Sequence, residues 1–340
     1  MIDPELWRLL KGVSRSFYLS VRFLPSRIRP AIALGYLLAR ASDTIADANS
    51  LAAADRLEIL NQLRAQLFTV DPNLKRGLKE CAQRQPDGAE QQLLERVEEI
   101  LAFARQLPQS DQNLLLEVLG RIMRGQILDI ERFELATSPR ALRSPEELDE
   151  YIYLVAGSVG EFWTKLCLQA WSPYARVDDK SIVTLGTEFG KGLQLVNILR
   201  DYPQDVQAGR SYLPITGTLS EDIKVAEPLF QEWRDIARRY LESGAQYLQA
   251  IRPIRVRFAC ALPVLIGIET LGKMKTVPPA GQKIKVTRGR VYWLMLLSLL
   301  IAAVPGFDRA LMHLARLSRR DYRTQPGVLT PGKDKKDDLP

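Results

Sequence analysis

Two pairs of aspartates carry the strongest chemical signal in the sequence. Asp43 and Asp47 lie in YLLARASDTIAD, Asp201 and Asp205 in LQLVNILRDYPQDVQAGRSYLP, and each pair is spaced by four residues. On a helix that spacing puts two carboxylates on one face, where like charges cost about 0.2–0.5 kcal/mol. A cation would offset the repulsion, and two such faces opposed make the oxygen-rich, water-retaining environment that Mg²⁺ takes up when it bridges to substrate phosphates. Tyr36 and Arg40 are also four apart on the first segment, whose Leu34, Leu37, Leu38 and Ile45 supply an apolar face. On the second segment Gln194 and Asn197 join Asp201 and Asp205 in a polar row, beside a largely apolar row containing Leu193 and Val196. Buried polar groups cost roughly 2–7 kcal/mol each unless partnered, so this row predicts a polar cavity rather than a dry core.

A small-residue surface lies between the pairs. In SPEELDEYIYLVAGSVGEFWTKLCLQAW, Ser144 followed by Glu147 forms a capping box that starts a helix, and Ala156, Gly157, Ser158 and Gly160 sit inside it. Each glycine costs about 1 kcal/mol relative to alanine in a helix interior, so the two predict the close approach of a neighbouring helix or of a ligand chain. Tyr151, one or two turns earlier, is either a core tyrosine or projects toward the same space. Ser14 and Ser16, just ahead of Phe17, are either helix N-caps or ligand contacts.

The elements that must position these residues are helices. Apolar positions recurring at three and four predict helices over 4–13, 52–71, 89–107 and 110–135, then from Ser144, through the central segment, over 218–243 and 251–274, and from near Thr287. The stretch DPNLKRGLKECAQRQPDGAE is polar with turn signals at its ends, and Asp129, Glu131 and Glu134 read as a solvated face. GIETLGKM opens like a phosphate loop, but it lacks the following Ser/Thr and a preceding strand, so helical periodicity fits it better. No fixed-period repeat and no run of strands is present. The expected fold is all-α, one domain over residues 1–322 with a polar tail over 323–340, and the lone His313 is expected at the surface.

The 340 residues are 46% hydrophobic, enough for a sizeable core, and 47 Lys plus Arg against 40 Asp plus Glu give a net charge of +7. That balance suits an anionic ligand or a membrane surface as well as nucleic acid. No RNA-binding motif, zinc-finger spacing or aromatic-interleaved basic run occurs, so no nucleic-acid partner is expected. Cys81, Cys167 and Cys260 lie far apart in apolar helical patterns and predict core thiols in a reducing compartment. The N-terminus lacks the apolar run of a secretory signal, and the longest apolar run, Val291–Pro305, is shorter than the roughly 20 residues of a bilayer span. A cytoplasmic protein without a transmembrane segment is expected, any membrane contact being peripheral.

Together these residues describe an α-helical pocket for a diphosphate carrying a long hydrocarbon. SRSF at 14–17, YLLARASDTIAD at 36–47, YIYLVAGSVG at 151–160 and LQLVNILRDYPQDVQAGRSYLP at 193–214 resemble the squalene/phytoene synthase family, head-to-head prenyl transferases of the all-α isoprenoid synthase fold, over roughly residues 10–320. RFACALPVLIGIETL at 257–271, KIKVTRGRVYWLM at 283–295 and the Asp-Tyr at 201–202 look more like the family's squalene synthases than its phytoene synthases.

The resemblance implies that Asp43, Asp47, Asp201 and Asp205 bind Mg²⁺ and diphosphate, with Arg40, Arg200 and Arg210 assisting phosphate binding or ionisation. It places Gln194 and Asn197 beside the metal and Tyr36 with the substrate-binding residues. It gives Tyr151 a part in the first half-reaction and Val155, Ala156 and Gly160 the lining of a prenyl tunnel. It implies farnesyl diphosphate as substrate, and NADPH seated by Lys285 and Arg288 with the Ser14–Phe17 segment. Two departures stand out: Pro203 removes a helical hydrogen bond between Asp201 and Asp205, and Thr287 replaces a usual basic residue. Within the family the alternatives are a phytoene, dehydrosqualene or presqualene diphosphate synthase. Outside the enzyme class a non-catalytic prenyl-lipid-binding helical module stays open.

Overall fold

Fourteen α-helices and one π-helical turn account for the regular structure in a computed structural model that describes residues 3–14, 17–65, 72–86, 88–135, 141–215, 223–279, 281 and 284–303. The expected tail, His313 and Ser16 lie outside the described residues. Helix α1 (Pro4–Ser14) buries Leu6, Leu9 and Leu10, and α2 (Phe17–Phe23) follows it. Pro30 occupies the first turn of α3 (Arg29–Ala46), where a missing N–H costs nothing. Asp47 closes that helix, its N–H bonded to the Asp43 carbonyl.

The outer helices are α4 (Ala53–Ala65), α5 (Pro72–Gln83), α6 (Ala89–Glu95) and α7 (Val97–Ala104). Helix α5 corrects the expectation of a polar connection. Its Leu74, Leu78, Cys81 and Ala82 are buried at helical spacing, and four apolar positions sufficed to make one face while Lys75, Arg76, Lys79 and Glu80 lie on the rest. Helix α8 (Gln109–Phe133) runs against α3, α4 and the segment that carries Tyr151.

That segment is not one helix. Ser144 accepts from the Glu147 N–H at 3.3 Å and caps α9 (Pro145–Ile152) as expected. The chain then widens into a π turn (Tyr153–Gly157) before α10 (Ser158–Ala170). Such wide turns are uncommon and concentrate at functional sites. Here Tyr153 donates to Glu161 Oε2 at 2.7 Å, and Arg121 of α8 bonds the same carboxylate at 2.9 Å, so the turn is fastened from both sides.

The small residues are explained by α11 (Asp179–Gln207), which lies directly on the π turn and α10. A Cβ on Gly160 would stand 1.9 Å from the Gly186 carbonyl oxygen, and one on Gly190 would stand 2.3 Å from that of Ala156. Helix α11 packs along α12 (Ile223–Ala250), and α13 (Ile254–Lys273) and α14 (Arg288–Ala303) complete the chain. Pro203, Pro228 and Pro263 sit inside α11, α12 and α13 without ending them.

Two buried clusters hold the helices together, one large and one around Tyr151, Leu195, Tyr202, Tyr212 and Phe230. All three cysteines are buried and free, as expected. No strand occurs among the described residues, and no described helix is long and apolar enough to cross a membrane.

Candidate active site

Three cavities meet at Phe17. The first, of about 400 Å³, lies between α3, α8 and the Tyr151 segment, with Tyr36, Arg40, Asp43, Gln126, Tyr151, Val155 and Gln194 in its wall. The second, of about 280 Å³, continues past Val155, Ala156, Gly160, Gln194 and Asn197 toward Phe189 and Tyr247. The third, of about 260 Å³, is bordered by Asn197 and Arg200 on α11 and by Thr270 on α13. Phe17 stacks on Tyr36 with ring centroids 4.7 Å apart, and the Tyr36 hydroxyl donates to the Val13 carbonyl at 3.3 Å. One end is thus polar and acidic, and the rest is aromatic and aliphatic.

Charge at the polar end is arranged around arginines. Arg40 pairs with Asp43 and with Glu90 of α6. Arg200 grips Asp201 through two bonds of 2.8 and 2.6 Å. Arg210 bonds the buried Asp205 at 2.9 Å. Sequence spacing predicts four carboxylates facing one another, but three of them turn to arginines, and no metal-capable group of three or more is found among the described residues. A carboxylate leaving water takes the nearest guanidinium, which adjacent sequence supplies.

Burial is nevertheless incompletely compensated. It raises the pKa of Asp43 despite Arg40, and that of Asp205 despite Arg210. Asp47 is pushed up to about 6, first by burial and then by the charge of Asp43, against the pull of Arg40 and Arg210. Burial works against the charge of Arg210, which Tyr212, Asp205 and Asp129 nonetheless hold firmly protonated. Because Arg210 acts on Asp47 from α3 and on Asp205 from α11, the two acidic segments converge on it.

Helix α8 adds residues that sequence reasoning missed. Asp129 is not on a solvated face: its Oδ1 is buried without a hydrogen-bond partner, as is Gln126 Oε1 one turn earlier in the cavity wall. Glu134 is also tied, to the buried Arg56 at 3.0 Å, whereas Glu131 faces Arg124 at 3.7 Å on the surface. The available signal was position: Gln126 and Asp129 are three apart and interleaved with Ile122, Met123 and Ile130, all buried. Tyr212 lies beside Asp129, held by the loop contact in which the Leu142 N–H bonds the Ser211 carbonyl at 3.1 Å.

Asp129 is pushed up to about 6 by burial first, then by Asp205 and Asp47, against the hydrogen bond of Tyr212 and the charge of Arg210. Its folded value therefore exceeds its unfolded one. The stability it permits is fully present below about pH 4, the unfolded range, and is lost as pH rises through about 6. Asp129→Asn should accordingly melt at a higher temperature than the parent at pH 7, with the difference closing below about pH 4. Melting curves at both pH values check this.

The remaining expected residues are placed unevenly. Ser14 neither caps a helix start nor lines any of these three cavities; it ends α1 with its hydroxyl bonded back to the Leu10 carbonyl. Lys285 and Arg288 are exposed and outside the three cavity walls, and among the described residues no ion pair engages either side chain. Thr287 takes up a local role instead, receiving the Arg290 N–H at 3.4 Å at the start of α14.

Comparison with known proteins fits this geometry. A sequence profile described as squalene/phytoene synthase matches residues 10–295. Squalene synthase 1 of Arabidopsis thaliana is 27% identical over 289 residues, covering 79% of this chain and 66% of that protein. Squalene synthase ERG9 of Saccharomyces cerevisiae is 30% identical over 211 residues, covering 61% of this chain and 44% of its own. The chain thus spans about two thirds or less of these two relatives. Among solved structures, a ligand complex of TcSQS superposes with a TM-score of 0.74 at 21% identity, covering 95% of this chain and 93% of the other. A dehydrosqualene synthase complex superposes at 0.55 and 22% identity, covering 86% of this chain and 94% of that one. These last two likenesses establish the isoprenoid synthase fold, and the profile match over most of the sequence establishes that the chain belongs to the squalene/phytoene synthase family.

Proposed function

We propose that the protein condenses two molecules of farnesyl diphosphate head-to-head through presqualene diphosphate and reduces the product to squalene with NADPH. The observation that carries the reading is a cavity with Arg40 and Asp43 at one end and an aromatic and aliphatic continuation, past Tyr151 and Val155, at the other. A prenyl diphosphate has the same two-part chemistry.

The residues present suit magnesium and diphosphate. Arg40 Nε, Gln126 Oε1 and Asp129 Oδ1 are buried without partners, and Asp47 carries a charge its surroundings do not fully compensate. Asp43, Asp47, Asp201 and Asp205 would hold magnesium, which when bound neutralises the diphosphate and favours its departure. Arg40, Arg200 and Arg210 bind phosphate oxygens and stabilise the charge that develops on the leaving group. Phe17, Tyr36, Val155, Ala156 and Gly160 keep water from the allylic cation. Gln194 and Asn197 orient the substrate where the cavities join, and Tyr151 stands where a proton leaves.

For the reductive step, Lys285 and Arg288 would seat a phosphate of NADPH, which when bound supplies hydride. Contact with an anionic bilayer is peripheral in this reading. The +7 charge supports it, as do the exposed Tyr292, Trp293 and Leu296 beside Arg288 and Arg290.

Incubation with farnesyl diphosphate and magnesium, with and without NADPH, tests the whole reading by identification of the hydrocarbons. Squalene is expected only with NADPH, and presqualene diphosphate in its absence. Replacing Lys285 and Arg288 together by Ala removes two charge-assisted contacts of roughly 1.5–3 kcal/mol each. That variant should accumulate presqualene diphosphate or dehydrosqualene. A wild-type product indifferent to NADPH would replace the reductive assignment by a phytoene or dehydrosqualene synthase, and absence of any diphosphate release would favour the non-catalytic module.

A further inference from the structure

The wide turn at Tyr153–Gly157 is completed by side chains that the reaction outlined above does not use. The Ser158 N–H bonds the Tyr153 carbonyl, five residues back. In a regular helix that N–H would go to the Leu154 carbonyl, four residues back. Here the Leu154 carbonyl receives the Ser158 hydroxyl instead, at 2.7 Å. The serine thus satisfies the acceptor that the wider register sets free.

Tyr153 holds the turn from outside the cavity. Its hydroxyl donates to Glu161 Oε2 at 2.7 Å, and Glu161 is fixed in turn by Arg121 at 2.9 Å and Lys165 at 2.5 Å. Two cations lie over the Tyr153 ring, the Arg121 guanidinium at 5.4 Å and the Lys191 ammonium at 5.8 Å from its centroid. Lys191 is itself anchored to Asp149 at 2.7 Å. Shape seats the turn as well: a Cβ on Gly125 of α8 would stand 2.5 Å from Val155 Cγ1, so only a glycine leaves room for the bulge there. Tyr153, Ser158 and Glu161 line none of the three cavities.

What the turn does for the cavity follows from helix geometry. Tyr151, Val155 and Val159 all line the first cavity. On an uninterrupted α-helix, positions eight apart such as 151 and 159 stand about 80° out of line, because each residue turns about 100°. A turn that takes in one extra residue makes eight residues wind as seven do, and the mismatch falls to about 20°. The wide turn therefore keeps three side chains along one wall.

We propose that Tyr153, Ser158 and Glu161 are positioning residues that hold the wide turn and through it align Tyr151, Val155 and Val159 along the cavity wall. This deepens the proposed function and rests on it, since Tyr151 stands where a proton leaves and Val155 keeps water from the allylic cation. The three residues act on the chemistry only through that alignment.

Two measurements test the proposal. Crystal structures of the parent and of Tyr153→Phe/Ser158→Ala, both without substrate, show which carbonyl the N–H at position 158 bonds. The variant is expected to return that bond to the carbonyl at position 154 and to turn Val159 out of line with Tyr151. A folded variant that keeps the bond to position 153 overturns the proposal. If the double variant does not fold, Tyr153→Phe alone, which keeps the ring beneath its two cations, gives the same comparison.

In the second measurement the same variant should lower kcat for presqualene diphosphate formation by about 10²-fold, the loss that a misplacement of about 1 Å can cause. KM should change little, because Arg40 and Asp43 stay in place on α3. Glu161→Gln keeps an acceptor for the Tyr153 hydroxyl and should retain most of the rate that Glu161→Ala loses. A parent-like kcat in the variant, a rise in KM alone, or equal losses in Glu161→Gln and Glu161→Ala overturns the proposal. Should the parent form no coupled product at all, the farnesyl reading fails on its own, and the crystal structures still decide whether these side chains hold the turn.

Discussion

Asp43→Asn and Asp201→Asn are each expected to lower diphosphate release from farnesyl diphosphate by at least about 10²-fold, the scale on which one preorganised charge stabiliser is lost. Both changes keep size and remove charge. In Asp43→Asn, Arg40 keeps its partner Glu90, so the guanidinium stays in the cavity wall. Since burial raises the pKa of Asp43 against the pull of Arg40, its ionised form is a strain on the fold, and the variant should melt no lower than the parent. In Asp201→Asn, Arg200 loses a bidentate pair on a half-exposed carboxylate, a contact worth little to stability. Single-turnover assays at saturating magnesium, paired with melting curves, separate the two effects. Near-normal turnover in either variant would remove that aspartate from the metal assignment.

The largest effect on stability is expected at Gly160. Gly160→Ala puts a methyl carbon 1.9 Å from the Gly186 carbonyl oxygen, a backbone atom that no rotamer change can move aside. Helices α10 and α11 would have to separate, and the close pass of Gly190 against the Ala156 carbonyl would open with them. Overpacking typically costs about 1–3 kcal/mol and more where backbone must shift, so the variant is expected at or beyond the upper end of that range. Gly209 offers the contrast: nothing lies within 4 Å of its would-be Cβ, but its φ of +74° makes Gly209→Ala a local strain of about 1–2 kcal/mol rather than a clash. Denaturant titration of both variants checks the order, and a Gly160→Ala protein as stable as the parent would show that the two helices are not packed this closely.

The sequence by itself determined the helices that carry the site, because burial of one face leaves a period in the pattern whatever surrounds it. Ser144 placed the start of α9 and the apolar face of Leu34, Leu37, Leu38 and Ile45 placed α3, and two glycines in YIYLVAGSVG announced a close neighbour. The family was legible for the same reason: SRSF, the two aspartate segments and that glycine run are local strings. Helix α5 escaped notice because four apolar residues among charges weigh little in composition, although they decide which face turns inward.

Only the tertiary structure decided what each polar group does. Asp129 reads like any acid near a helix end; the apolar positions around it point to the inward face, but Tyr212, Arg210, Asp205 and Asp47 come to it from distant segments. The arrangement of Asp43, Asp201 and Asp205 against arginines was likewise undetermined, since the i, i+4 spacing fixes which carboxylates share a face but not which cation answers them. Nor could spacing foresee the π turn, whose register is set by Glu161, Arg121 and the close pass of α11. Local sequence sets backbone periodicity through steric and hydrogen-bonding rules within a few residues, whereas burial, and with it whether a carboxylate turns to a neighbouring arginine or to water, depends on distant segments meeting in space.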